Sequence, residues 1–397
     1  MLRVARQRTG GQQPIAESNP IMASTAYGTN HGLTVKAWAK KLWIEALKET
    51  RYAQFKGSTG QNSLISLKTE TTKEAGDRVT QGLRMQLTGI GISGDNTLEG
   101  NEEALVTYND AVVIDQLRHA VRSSGKMSEQ RVTFDHREEA KDGMRDWWSD
   151  RMDAWLFNQL CGATTQQTQA NGVNSTSVDT RYSGMQAALA PDANHIFSSS
   201  NDVDNTTEAS LSATTTFALK YADIDRAVAR AKTGVNGQAP VMRPLKVNGD
   251  DMFVLFIHPF SVTQLRKNTA TGNFQDIQKA TLQGGKIADN PIITGLLGTY
   301  NKTLMVEDQR VPPVSTAVTS STSYRRNVFC GAQACLMAVG QNHSDAKMTW
   351  GEETFDHGNQ LAVSSALIAG LKKAQFPIAG TATDFATMVI SSYAPAQ

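Results

Sequence analysis

The segment that decides the fold is DQLRHAVRSSGKMSEQRVTFDHREEAKDGMRDWWSDRMDAWLFNQL, residues Asp115 to Leu160. Its second half predicts one long helix, because apolar residues recur every three or four positions, the period of one helical face. Thr133 and Asp135 are start signals and Cys161-Gly162 is a stop signal. A helix from Asp135 to Leu160 would be about 39 Å long at the usual helical rise. Its apolar stripe consists of Ala140, Met144, Trp147, Trp148, Met152, Trp155, Leu156 and Leu160.

The opposite face of this helix is charged, so we expect it to meet solvent or a polar neighbour. The tryptophans indicate that the apolar stripe is heavily buried. Taken alone, the pattern of this segment is typical of an ordinary core helix. The charged positions are Arg137, Glu138, Lys141, Asp142, Arg145, Asp146 and Asp153.

Composition sets limits on function. The 397 residues allow two or three compact units, and a formal net charge of +1 excludes a basic field over the whole molecule. Three cysteines without a CxxC pair argue against a disulfide framework and favour a reducing cytoplasm. No apolar run approaches the roughly 18 residues that cross a bilayer, so we expect a soluble protein made inside a cell, without a membrane partner.

The chain starts with a polar, basic stretch that does not have the pattern of a signal peptide. Residues 1–21 are therefore interpreted as a flexible or non-native extension, since Met22 offers a second start. After it, Thr34 to Tyr52 predicts an amphipathic helix.

From Leu64 to Val113 the pattern changes to extended strands rich in β-branched residues. Between the last two runs lies the glycine-rich, acidic segment TGIGISGDNTLEGNEE, residues 88–103. Such a composition is typical of a long hairpin with a mobile tip.

Three glycines in this tip, Gly89, Gly91 and Gly94, match the dinucleotide motif GxGxxG. That motif requires a helix whose N-terminus receives the pyrophosphate, but the following residues have no helical stripe. Asp95 and Glu99 would also repel a phosphate. A calcium loop is excluded because Val106 occupies the position of the bidentate carboxylate.

The remaining chain alternates helices and strands without βαβ repetition, an α+β pattern. Ala163–Thr216 is weakly patterned and is interpreted as loop or a partly ordered insertion. The predicted elements are a helix at Tyr221–Lys232, a strand at Met252–Ile257, a helix after Pro259, extended segments at Ile292–Thr294 and Thr303–Glu307, and one apolar strand at Asn327–Val339.

No motif with catalytic, cofactor-binding or metal-binding content emerges. Glu353, Asp356 and His357 cluster in WGEETFDHGN, but their spacing fits no established metal site, and a polar turn is the better interpretation. No GxSxG is present, and no serine has the context of a nucleophile.

The order of elements resembles the HK97-type major capsid protein of tailed bacteriophages, in a podovirus-associated branch. The resemblance covers about Met22 to Ser392 and is weakest across the Thr/Asn-rich middle. The stretches that carry it are MASTAYGTNH (22–31), AGDRVTQGLRMQLTG (75–89), DNTLEGNEEAL (95–105), IDQLRHAVRSSGKMSEQRV (114–132), ITGLLGTYN (293–301), GAQA (331–334) and WGEETFDHGNQLAV (350–363).

This resemblance implies an α+β capsid fold whose N-terminal arm, E-loop hairpin, peripheral domain and axial domain follow in sequence. The implied assembly candidates are Gly89, Gly91, Gly94, Asp95, Glu99 and Gly100 at the E-loop tip, and Trp147, Trp148, Met152 and Trp155 in the packing of the long helix. The implied division is 1–21 extension, 22–56 arm and helix, 64–118 E-loop hairpin and flanking strands, 119–232 peripheral domain, 233–345 axial domain and 346–397 C-terminal segment.

The resemblance also implies the partners: the chain itself in pentamers and hexamers, scaffold, portal and decoration proteins, and double-stranded DNA held by non-specific contacts in a virion assembled in the host cytoplasm. Two alternatives stay open, an encapsulin-like compartment and a nucleotide-binding enzyme that uses the Gly89–Gly94 motif. Covalent crosslinking would need a lysine in the hairpin, and Lys68 and Lys73 lie outside its tip.

Overall fold

A computed structural model of the chain describes residues 52–57, 62–69, 76–162, 167–170, 173–178, 186–199, 215–234, 241–247, 249–267, 298–313, 324–340, 349–378 and 380–395. The predicted extension at 1–21, the helix predicted to end at Tyr52 (save that residue) and the segment Ile292–Thr294 lie outside them. The helices are α1 (Tyr52–Phe55), α2 (Lys126–Gln130), α3 (His136–Cys161), α4 (Tyr221–Thr233) and α5 (Pro259–Lys267).

Within the described residues, the strands form two large sheets and three hairpins. In chain order they are β1 (Lys56–Gly57), β2 (Ile65–Lys68), β3 (Arg78–Arg84), β4 (Thr107–Val113), β5 (Asp115–Arg122), β6 (Gln167–Ala170), β7 (Val173–Val178), β8 (Ile196–Ser198), β9 (Leu245–Val247), β10 (Asp250–Ile257), β11 (Thr299–Tyr300), β12 (Thr303–Glu307), β13 (Tyr324–Cys330), β14 (Cys335–Val339), β15 (Thr349–Phe355), β16 (Gln360–Lys373), β17 (Gln375–Ile378), β18 (Thr381–Asp384) and β19 (Thr387–Tyr393).

The first sheet has the order β1-β2-β14-β16-β15. In addition, β5 pairs with β16 along the edge opposite to β15. The second sheet has the order β11-β12-β10-β13-β19-β8, with β9 against β10. The pairs β3-β4, β6-β7 and β17-β18 are separate two-stranded ribbons. Among the described residues, no helix is both long and apolar enough to cross a membrane.

The long helix predicted from the sequence is confirmed as α3. The side chain of Asp135 caps its start by accepting the Arg137 backbone N–H at 2.8 Å. Gly162 ends it in the left-handed conformation, with φ 61°. A Cβ at Gly162 would lie 2.4 Å from the backbone oxygen of Leu189, so both the conformation and the space require glycine there.

The C-terminal half of α3 is enclosed on all sides. Every residue from Met152 to Cys161 is buried, because this half packs in one core with strands of both sheets. The placement of Asp153 on a solvent-facing polar side is therefore wrong: its side chain is fully buried, 3.3 Å from the guanidinium of Arg310. The 3.6-residue period cannot reveal this, since the apolar stripe continues unchanged while the surroundings close over the polar face.

The second sheet is covered on both faces. Val254, Phe256 and Val328 face the core shared with α3, while Phe253 and Leu255 join a second core with α4 and α5. A strand buried on both faces is continuously apolar, which explains why MFVLFI in β10 shows no alternation.

The apolar segment Asn327–Val339 is two strands, so the prediction of a single strand is wrong. The chain crosses from the second sheet to the first between β13 and β14. Backbone hydrogen bonds to neighbouring loops hold this connection in place. The Gly331 N–H donates to Ala386, that of Ala332 to Arg243, and that of Gln333 to Ser63, at 2.7 to 2.9 Å. A Cβ at Gly331 would lie 2.5 Å from the Arg243 oxygen, so the glycine marks a close approach of two backbones.

The end of β16 carries two consecutive lysines that point to opposite faces. Lys372 pairs with Asp110 on β4, and Lys373 lies 2.9 Å from the buried carboxylate of Asp384 on β18. The two ion pairs join three parts of the fold at one strand end.

The weakly patterned segment Ala163–Thr216 is partly described. It contains the ribbon β6-β7, the strand β8, which pairs in parallel with β19, and a short 3-10 turn at Thr215–Phe217. The polar composition of β6 and β7 and the three-residue length of β8 concealed these strands from the sequence analysis.

Candidate assembly surface

The predicted hairpin between residues 75 and 113 is formed by β3 and β4. They pair antiparallel from Arg78↔Val113 to Arg84↔Thr107, and one further backbone bond joins Met85 to Val106 at 3.0 Å. Residues 85–106, here called the hairpin tip, connect the two strands.

The base of the hairpin is anchored by a small core and an ion pair. Val79 and Val112 are buried against Leu336 and Phe376. Asp110 pairs with Lys372 and also accepts the backbone N–H of Gln375 at 3.2 Å. The base therefore fixes the direction in which the hairpin leaves the first sheet.

The hairpin tip is open to solvent. Every residue from 86 to 107 is exposed, including the six candidates that the resemblance implied, namely Gly89, Gly91, Gly94, Asp95, Glu99 and Gly100. Gly91, Gly94 and Gly100 have positive φ, and a Cβ at any of the three would meet nothing within 4 Å. No helix follows these glycines within residues 85–106, so the arrangement that a dinucleotide motif requires is not formed there.

Large apolar side chains at the tip are exposed as well. Ile90 is fully exposed, and the exposed fractions of the others range from 39% to 61%. Exposed apolar residues that cluster on one protruding segment mark an interaction surface, whereas scattered ones are ordinary. The residues are Leu87, Ile90, Ile92, Leu98, Leu105 and Val106.

One carboxylate, Glu103, holds the neck of the tip closed. It accepts the backbone N–H of Thr88 at 2.8 Å and that of Gly89 at 2.7 Å, and the Thr88 hydroxyl at 3.1 Å. The backbone donors at Thr88 and Gly89 lower the pKa of Glu103 below its ordinary value. The sequence analysis missed this residue, because partners that are 14 and 15 positions away leave no local spacing signal.

Glu103→Gln is expected to speed amide hydrogen exchange at Thr88 and Gly89 several-fold, because a neutral amide oxygen accepts these bonds more weakly than a carboxylate. Since the pKa of Glu103 is lowered, the wild-type clamp holds at neutral pH and is lost as pH falls through that pKa. Glu99→Gln, the same change at an exposed position of the tip, is the control. Equal exchange in both variants would contradict the clamp.

The candidates in α3 have two environments. Trp148, Met152 and Trp155 are buried, with exposed fractions of 2% to 4%. Trp147 is half-buried and stacks on His119 with ring centroids 4.4 Å apart. The indole N–H of Trp148 donates to Ser365 on β16, which fixes the helix against the first sheet.

The acidic and histidine cluster near residue 355 forms a turn. Asp356 and His357 have positive φ in the reversal between β15 and β16, and Asn359 closes it with a backbone bond of 3.0 Å to Asp356. The described residues contain no group of three or more His, Cys, Asp or Glu side chains able to hold a metal ion.

Comparison with known proteins gives one consistent result. A family model described as phage capsid protein matches residues 25–396. The major capsid protein of Pseudomonas phage KPP25 is 28% identical over 363 residues, which cover 88% of this chain and 91% of that protein. A chain from the capsid of Ralstonia phage GP4 is 31% identical, with a TM-score of 0.75 over 94% of this chain and 99% of that one. The capsid of cyanophage Pam1 is similar in fold, with 20% identity and a TM-score of 0.71 over 95% and 100% of the two chains.

Proposed function

The chain belongs to the phage capsid protein family, has the HK97-type fold and forms the head shell, and from this premise we propose that its hairpin tip is the part of each copy that reaches a neighbouring copy. The observation that carries the proposal is the continuous exposure of residues 86–107 together with their large apolar side chains. Because exposed apolar surface is costly in water, its burial between copies would stabilise the shell.

The copies would assemble as pentamers and hexamers of an icosahedral shell. These two environments require one sequence to meet its neighbours at slightly different angles. Gly91, Gly94 and Gly100 support this, because their positive φ and free surroundings let the tip bend without a steric penalty. The anchored base at Val79, Val112 and Asp110 would keep the stalk direction constant while the tip adapts.

We assign the E-loop to the hairpin, the peripheral domain to the first sheet with α3, and the axial domain to the second sheet with α5. The sequence division placed α4 and β8 in the peripheral domain, within 119–232. Because both elements pack with the second sheet, this assignment moves them to the axial domain. The arm at 22–56 and the C-terminal segment at 346–397 remain as proposed, with β19 completing the second sheet.

Other partners belong to the same proposal. Scaffold, portal and decoration proteins would meet the assembled shell in the host cytoplasm. Packaged double-stranded DNA would be held by local phosphate contacts without base reading.

The test is to replace Gly89–Gly100 with a short Gly-Ser linker in the full chain. We expect the thermal unfolding temperature of the unassembled chain to stay within about 2 °C of wild type, because exposed loop residues contribute little to stability. Shells and capsomer rings should disappear, as seen by sedimentation and electron microscopy.

The double variant Asn96→Ser/Thr97→Ser keeps the length, the charges and the apolar side chains of the tip, so it is the matched control for a disturbed loop and should assemble normally. Normal shells from the linker variant would refute the role of the tip. An encapsulin-like compartment would instead copurify with a protein cargo and without DNA, and it would leave the role of the tip intact.

A further inference from the structure

The three-stranded region β5-β16-β15 of the first sheet has two unlike faces. On one face, Leu117 and Leu367 pack in the main core, Ser365 accepts the Trp148 indole N–H and His119 stacks on Trp147. This face is therefore covered by α3.

The opposite face carries small side chains at its centre, and Arg118, Ala120 and Arg122 on it are exposed. Cross-strand register places Ala120 opposite Ser364 and Ser364 opposite Gly351, so the middle of the face is flat. A solvated sheet face ordinarily carries long polar side chains, whereas small residues let another backbone approach closely. We call it the open face, and it consists of Arg118, Ala120, Arg122, Thr349, Gly351, Glu353, Ala362, Ser364 and Ala366.

Two arginines give one edge of the open face a positive charge. Arg122 is held in place by a hydrogen bond to Gln360 and lies 4.3 Å above the ring of Phe355. Arg118 is exposed, and within the described part of the chain its guanidinium has no hydrogen-bond or ion-pair partner. The open face therefore has a flat centre of small residues, with Arg118 as an available cation on its β5 edge and the Glu353 carboxylate on its β15 edge.

The hairpin tip has the complementary chemistry. It contains acidic residues and no lysine or arginine. Glu102 and Glu103 are occupied by backbone N–H groups of the tip itself, which leaves Asp95 and Glu99 without a hydrogen-bond or ion-pair partner among the described residues. Since every residue of 86–107 is exposed, the tip does not cover the open face of its own chain.

We propose that the open face receives the hairpin tip of a second copy, with Asp95 and Glu99 directed at Arg118 and Arg122 and the apolar tip residues lying on Ala120, Ser364 and Ala366. The proposal rests on the tip being an assembly contact. It adds the surface that receives the tip, and complementary charge would set the orientation of the contact more than its strength.

The test is reciprocal charge reversal in the full chain. Arg118→Glu should reduce the assembled fraction by about tenfold, because it places like charges together across the contact. Asp95→Lys/Glu99→Lys should do the same, and the chain with all three changes should assemble again. Arg131→Glu, an exposed arginine outside the open face, is the control that should assemble normally.

Chemical crosslinking tests the same contact between the tip and the open face without changing any charge. All three native cysteines are buried, so Leu98→Cys and Ala120→Cys would be the accessible thiols. A bis-maleimide should then produce a ladder of joined chains on a denaturing gel, and neither single variant should do so.

Normal assembly of Arg118→Glu, no recovery in the combined variant or no ladder from the double-cysteine chain would each overturn the open face as receiver. If the linker variant of the tip still fails to assemble in that case, the role of the tip stands and it docks elsewhere. If the linker variant assembles, both proposals fall.

Discussion

Trp155→Ala should lower the free energy of unfolding by about 3–5 kcal/mol, the range found for large-to-small changes of buried aromatic residues. Trp155 is 2% exposed and lies in the enclosed half of α3, in the core shared with both sheets. The loss comprises the transfer of the indole from the core and the cavity left among residues that cannot all relax. Urea unfolding of the unassembled chain, followed by fluorescence and circular dichroism, measures it.

The same helix offers a matched control. Trp147→Ala removes an identical side chain from a half-buried position on His119, so we expect a loss of about 1–2 kcal/mol. Trp155→Phe should cost less than Trp155→Ala, because the indole N–H of Trp155 has no acceptor among the described residues and only part of the ring volume is removed. Equal losses for Trp147→Ala and Trp155→Ala would show that the two halves of α3 are buried alike.

Arg310→Met should cost about 3–5 kcal/mol, because it leaves the charge of Asp153 buried without this cation. Arg310 is 3% exposed; its Nη1 lies 3.3 Å from Asp153, and its Nη2 lies 3.0 Å from Asp150. The pair fastens α3 to the loop that follows β12. Thermal and urea unfolding of the unassembled variant give the loss.

Adding Asp153→Asn to Arg310→Met should recover part of the lost stability, because Asp153→Asn removes the buried charge. Arg145→Met breaks an exposed pair with Asp142 on the same helix and should cost less than about 0.5 kcal/mol. If the double variant were no more stable than Arg310→Met alone, desolvation of Asp153 would not be the cause of the loss.

The sequence predicted the elements whose signals are local. The helical period, the capping residue Asp135 and the stop at Gly162 place α3 within a residue at its ends. The hairpin β3-β4 followed from alternation that flanks a glycine-rich tip, and the turn at Asp356 and His357 from its composition. In each case, interactions between residues that are close in sequence determine the local structure.

Features that depend on distant residues were not predictable. Asp153 is charged and on the polar side of its helix, so only its meeting with Arg310 explains its burial. Asn327–Val339 is uniformly apolar, so nothing in the period marks the point where the chain changes sheets. Gly331 is the one hint, but the close approach that it permits is to Arg243, far away in the chain. The open face is equally invisible, because its small residues come from three strands.

The paired lysines at the end of β16 bear on how reliably this strand finds its place during folding. Much of β16 reads AVSSALIAGL, a run of small and aliphatic residues whose pattern alone discriminates weakly between neighbouring alignments. A slip of one residue in one direction would put Leu371 opposite Asp110, and a slip in the other would put Ala374 opposite Asp384. In both errors a buried carboxylate loses its cation, at a cost of several kcal/mol. Lys372 and Lys373 therefore favour the correct alignment of β16 over alignments shifted by one residue. The placement of the hairpin depends on this alignment.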